Sequence, residues 1–139
     1  MGRLLGVDYG DRRVGYALSD PLGIIATAKD VQAVEAPEHA ANETARRAAE
    51  WKVEGIIVGL PLNMDGTRGP AVDKVDRFME LLRARTELPI RTWDERLTTH
   101  TAHAALRATG SDARARKGIV DKVAAQILLQ AYLDAHPTP

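Results

Sequence analysis

A chain of 139 residues is the size of one domain with a core of its own. Nineteen basic and nineteen acidic side chains cancel to a formal net charge of zero, so bulk electrostatics gives no support for a nucleic-acid binder and any such role must rest on local clusters. The absence of cysteine excludes a disulfide scaffold and thiol chemistry, and no apolar run approaches the roughly 18 residues of a membrane span, so a cytoplasmic protein without membrane contact is expected.

Leu4-Leu5-Gly6-Val7-Asp8-Tyr9-Gly10 opens the chain as a buried strand ending in an acid and a glycine. A carboxylate at the exposed end of such a strand faces solvent, a ligand or a metal, and Gly10 is placed to turn the chain through a positive φ. An Asp before a turn is also ordinary turn chemistry, and this stretch alone does not separate the two readings. Val14–Ser19 and Ile24–Thr27 follow, joined by turns around Arg12 and around Asp20-Pro21, and the three runs read as an antiparallel meander. Pro37 opens a helix predicted to about Val53, with a thin face of Ala41, Ala45, Ala48 and Ala49. Gly55–Gly59 is the continuous β-branched run of a central strand. A loop from Leu60 to Gly69 leads to Pro70 at a first helical position, after which Val72, Val75, Phe78, Met79 and Leu82 recur at helical spacing. Pro89–Trp93 is a fifth strand. Beyond it the sequence predicts a helix over Thr99–Ala108, a mobile basic loop over Arg107–Lys117, and a last helix from about Ile119 to Ala135. The order implies one α/β domain over residues 1–139, a mixed sheet with helices on both faces.

If strands one, four and five are parallel neighbours, the loops behind them converge on one edge. Asp8, the Asn63 loop, Asp94 and Glu95 then meet. Asp121, expected in the first turn of the last helix, shares the angular position of Ala124, Ala125 and Leu128 and borders the packed face. Carboxylates gathered at one edge repel unless a cation lies among them, and oxygen ligands suit magnesium. Two such ions about 4 Å apart would activate a water and stabilise the leaving oxygen of a phosphodiester. Plainer accounts exist for each residue: a helix dipole at Asp121, pairing of Glu95 with Arg96, and turn formation by Asn63, Asp65 and Gly66. His100 and His103 lie three apart without the further ligands of a zinc site. Arg107, Arg114, Arg116 and Lys117 form either a phosphate clamp or a solvated loop, and no aromatic residue interleaves to stack on bases.

Four stretches, in order and spanning nearly the whole chain, together resemble one family. They are Leu5–Gly10 with Arg13, Gly15 and Ala17; Val58–Thr67; Asp94–Thr99; and Lys117–Asp121 with Ala124 and Ala125. They resemble the YqgF, or RuvX, proteins of bacteria, described both as Holliday junction resolvases and as nucleases maturing the small-subunit ribosomal RNA precursor. The resemblance implies a ribonuclease H-like fold with a five-stranded sheet, and it implies that Asp8, Glu95 and Asp121 are the acidic triad holding two Mg2+ or Mn2+ ions. It further implies in-line attack by water leaving a 5′-phosphate, with Asp94, Asp65 and Asp20 as candidates for a fourth acid. Arg12, Asn63, Arg68, Arg96, Arg114, Arg116 and Lys117 are the candidate nucleic-acid contacts. Pre-16S rRNA in ribosome biogenesis is the expected substrate and branched DNA the alternative. Either a monomer or a homodimer fits, although a junction resolvase needs paired sites. Two rivals remain: a nucleotide-binding ATPase or sugar kinase, which needs a second domain to complete its cleft, and a non-catalytic RNA- or ribosome-binding module, against which clustered carboxylates argue.

Overall fold

The computed structural model describes residues 2–97 and 113–137, with the backbone alone at 97 and over 113–122. Five strands, β1 (Leu4–Tyr9), β2 (Arg13–Ser19), β3 (Ala26–Ala33), β4 (Gly55–Leu60) and β5 (Ile90–Asp94), form one sheet in the order β3-β2-β1-β4-β5. The first three are antiparallel neighbours, whereas β4 lies parallel to β1 and β5 parallel to β4. The described helices are α1 (Pro37–Glu50), α2 (Pro70–Arg83) and α3 (Ala113–Ala135), with a 3-10 turn at Glu95–Leu97. None is long and apolar enough to cross a membrane.

Alternation along the strands divides the core in two. Leu5, Val7, Tyr16, Ile56 and Val58 pack against α1 and α2, while Ile57 and Ala17 pack against Ala125, Leu128, Leu129 and Tyr132 of α3. α1 and α2 both begin on a proline, whose missing N–H costs nothing in a first turn. α3 approaches the sheet at backbone distance because β1 carries Gly6, where an added Cβ would lie 2.8 Å from Leu129 Cβ and 3.1 Å from the Ala125 carbonyl. Leu4 packs in the cluster with Leu133 and Tyr132, so α3 runs antiparallel to β1. Position 121, one turn before Ala125, therefore comes to the Asp8 end of that strand.

Several boundaries differ from expectation. β3 starts at Ala26 because the amides of Ile24 and Ile25 donate to the Asp20 side chain and are held out of the ladder. α1 stops at Glu50, and Lys52 follows with φ 53°. α3 starts at Ala113, so Arg114, Arg116 and Lys117 lie in its first turns and not in a loop; Ala, Arg and Lys are strong helix formers that outweigh Gly118. Gly10 does not adopt a positive φ, a conformation that Gly23 and Gly66 take instead. Its constraint is space, since a Cβ there would lie 2.8 Å from the Arg13 carbonyl. The expected Thr99–Ala108 helix, His100, His103 and Arg107 lie outside the described residues.

Candidate active site

The parallel pairing of β1, β4 and β5 brings the ends of all three strands to one edge of the sheet. The β1–β4 ladder pairs Val7 with Val58, so the next step sets Asp8 beside Gly59; the β4–β5 ladder pairs Gly59 with Trp93. Glu95 follows β5 and folds back over Gly59. An added Cβ at position 59 would overlap Glu95 Oε1 and sit 3.0 Å from its Cγ, so the bare backbone there is the floor on which the carboxylate rests.

Resting on that floor, the Glu95 carboxyl is hydrogen-bonded to Asp8. Burial pushes Glu95 above the usual carboxylate range, the bond to Asp8 draws it part of the way back, and the charge of Asp94 pushes it up again. Two acids in contact present oxygen donors alone, and an all-oxygen donor set suits a hard divalent ion. Among the described residues no group of three or more His, Asp or Glu side chains gathers as a metal cluster. Asp121 is the ninth residue of α3, past the first turn where a helix dipole acts, and its side chain lies outside the described residues.

The pair opens into a cleft of about 260 Å³ that Tyr9, Asp11, Pro61 and Lys74 also line. Tyr9 stacks on Phe78 with ring centroids 4.5 Å apart, and burial raises its phenol pKa. Lys74 supplies the cation of this cleft among the described residues, and its Nζ donates to Asp11 Oδ2 at 2.8 Å.

With this geometry in place, likeness to known proteins is decisive. Residues 2–135 match the family described as "RuvX: Holliday junction resolvase". The chain belongs to that family. It is 42% identical over 132 residues to a protein of Halothermothrix orenii, covering 95% of this chain and 94% of the relative. It is 45% identical over 133 residues to one of Clostridium novyi, covering 96% and 98%. Both relatives carry the name "Putative pre-16S rRNA nuclease". Among solved structures, RuvC of T. thermophilus in complex with a Holliday junction superposes with a TM-score of 0.64 at 12% identity, over 97% of this chain and 95% of RuvC. The fowlpox virus resolvase with its junction DNA gives 0.57 at 12% identity, over 98% and 99%. At such identities the likeness is one of fold, the ribonuclease H-like sheet that the family resemblance implied.

Around the acidic pair, this RuvX-family chain uses several of the sequence candidates for support. Arg96 does not pair with Glu95. Its Nη2 and Nε donate to Asp94 at 2.6 and 3.0 Å, holding that carboxyl below its usual range, and its Nη1 reaches the Met64 carbonyl at 3.4 Å. Arg96 thereby ties the end of β5 to the loop after β4. Within that loop Asn63 Nδ2 donates to Thr67 Oγ1 at 2.9 Å, Asp65 accepts from the Thr67 amide and hydroxyl, and Gly66 takes φ 89°. Asn63 and Asp65 are turn formers here. Arg68 is bound to Asp76, and Arg12 is exposed at the site end of the β1–β2 turn. Of the candidate fourth acids, Asp94 and Asp65 lie at the site's edge, each with its own partner, whereas Asp20 lies at the opposite pole and accepts two backbone amides. The side chains of Arg114, Arg116 and Lys117 lie outside the described residues.

Two contributors escaped the sequence reading, Gly59 and Lys74. A glycine closing an otherwise β-branched run is the signal that would have found the first, because a strand interior favours glycine where another group must come close. Lys74 sits on an amphipathic helix among other exposed charges, and nothing in its spacing sets it apart.

Proposed function

We propose that this chain is a divalent-metal-dependent nuclease that hydrolyses phosphodiester bonds of the 16S ribosomal RNA precursor, with Asp8, Glu95 and Asp121 as its metal-holding acids. The observation that carries the reading is the hydrogen-bonded Asp8–Glu95 pair on the Gly59 floor. Like-charged carboxylates are held together at a cost in stability, and a site that binds cations gives that cost a purpose. Two magnesium or manganese ions bound there would activate water and stabilise the leaving oxygen.

The rest of the work falls to the chain's own residues. β1 and the turn after β5 carry the two carboxylates, and the Gly59 floor sets the height of Glu95. Arg96 pairs with Asp94 and holds that carboxylate in place beside the site. Backbone position 121 closes the site from the α3 side. Family membership and the names of the relatives support nucleic acid as substrate, and the relatives' names favour ribosomal RNA over a DNA junction.

The test is a cleavage assay on two labelled substrates, a pre-16S rRNA fragment spanning the mature 5′ end and a four-way DNA junction, with magnesium or manganese. Cleavage of the RNA by the wild type and its loss in Asp8→Asn is the expected result. Cleavage of the junction alone moves the function to recombination, and cleavage of neither leaves a binding module.

A further inference from the structure

The pole opposite Asp8 is built in a way the nuclease site does not explain. The β2–β3 turn carries Leu22, Ile24 and Ile25, which are 64%, 56% and 60% exposed, three of the four large hydrophobic residues exposed among those described. This turn is held firmly. The Ile24 and Ile25 amides donate to Asp20 Oδ1 at 2.7 and 2.9 Å, and the Asp20 amide donates to the Ile25 carbonyl at 3.0 Å. Gln130 of α3 donates to the Ile24 carbonyl and accepts from the Ala26 amide, both at 2.9 Å. A turn so fixed presents its aliphatic side chains outward without the ordering cost that a flexible loop would meet on binding.

Beside the tip lies a hollow of about 410 Å³, walled by Leu4, Leu22, Ile57, Tyr132 and Leu133, with Glu54 and Arg91 also lining it. We propose that tip and hollow form a two-fold interface with a second copy of this chain. A two-fold contact requires one patch to be complementary to itself. In shape, an apolar projection beside an apolar recess meets that requirement: the tip of each copy enters the hollow of the other. In charge, Glu54 and Arg91 meet it too, because the two-fold sets Glu54 of one copy against Arg91 of the second. Arg91 Nη1 donates to Tyr132 Oη at 2.9 Å, which steadies the guanidinium at the hollow. One acid and one base there do not suit the phosphates of a nucleic acid, which need an excess of cations.

The interface uses the starts of the parallel strands and the nuclease site uses their ends. The six residues of β1 alone set them about 20 Å apart. The dimer thus carries its two sites at its two far ends, each able to act on its own substrate.

Sedimentation velocity and light scattering over a concentration series test this without reference to cleavage, so the result is independent of the nuclease reading. The wild type is expected to dimerise, and Ile24→Glu with Ile25→Glu is expected to weaken self-association more than about 100-fold, since each copy contributes the substitutions. Both residues are exposed in the single chain, and thermal melts of the variant confirm folding. Glu54→Arg alone and Arg91→Glu alone each weaken the dimer about tenfold by setting like charges face to face, and the combined exchange restores it. A wild type that stays monomeric at its highest soluble concentration overturns the proposal. So does a dimer indifferent to the Ile24 and Ile25 changes, which would place the contact elsewhere, or a double charge exchange no stronger than its single members.

Discussion

Two polar clusters are folded against the sheet, one on each face, and they differ in a single respect. Beneath α1, the buried Arg47 donates to Asp30 Oδ2 at 2.6 Å and to Gln32 at 2.9 Å, and its guanidinium lies 4.6 Å from the Tyr16 ring centroid. The Tyr16 and Thr44 hydroxyls bond each other at 2.8 Å, and Thr44 also donates to the Ala40 carbonyl. Burial pushes the Tyr16 phenol up to about 12, so it stays neutral. Cation meets anion and donors meet acceptors, and that cluster is complete. On the other face, two acids, Asp8 and Glu95, meet each other, and burial raises Glu95. Partly buried polar groups are common to both places. Cancellation of charge within the chain separates architecture from a site awaiting a ligand.

The contrast is broken most strongly at Gly59. In Gly59→Ala the new methyl occupies the place of Glu95 Oε1, so Glu95 leaves Asp8 or the strand moves. The expected loss in single-turnover RNA cleavage is about 100-fold, equivalent to about 2.7 kcal/mol of transition-state stabilisation. Thermal stability without metal should change little, because separating the carboxyls offsets the local strain. Arg47→Ala breaks the other cluster with the opposite signature. Removing the guanidinium strips Asp30 and Gln32 of their donor and leaves a gap against Tyr16, at a cost of about 2–4 kcal/mol in urea denaturation. Cleavage per folded molecule should be unchanged. A folded Arg47→Ala protein with impaired cleavage would mean that the two clusters do not divide structure from function.

The sequence made the site's skeleton legible because strand alternation and the crossover order force β1, β4 and β5 together, and with them Asp8 and Glu95. It could not show what lies between those acids, since the role of Gly59 depends on a register across two ladders. Arg96 was ambiguous for a local reason. Glu95 is its nearest neighbour in sequence, yet Glu95 folds onto the sheet while the side chains of Asp94 and Arg96 meet each other. Asn63 and Asp65 carry the ordinary turn chemistry that their loop suggested. The start of α3 was hidden by Gly118, a local breaker overruled by strong helix formers and by the packing of residues further along.

The smallest effect expected is the pH dependence of stability, and it sharpens the contrast most. Glu95 is raised on folding above its value in the unfolded chain. A group so raised contributes stability that is fully present below the unfolded value and is lost as pH rises through the folded one. Metal-free protein in a chelating buffer should therefore lose this contribution as pH rises through the folded value of Glu95, whereas Asp94 and Glu43, lowered by Arg96 and Arg46, lose theirs only as pH falls through their folded values. Because these trends oppose one another, the quantity to measure is the difference in melting temperature between wild type and Glu95→Gln at each pH. Without metal that difference should move against the wild type as pH rises. Magnesium should reverse its direction, since the cation takes the place of the departing proton and stabilises the folded state in proportion to its binding. A difference that stays flat with and without magnesium would mean that Asp8 and Glu95 form a cluster closed on itself, as the one around Arg47 is.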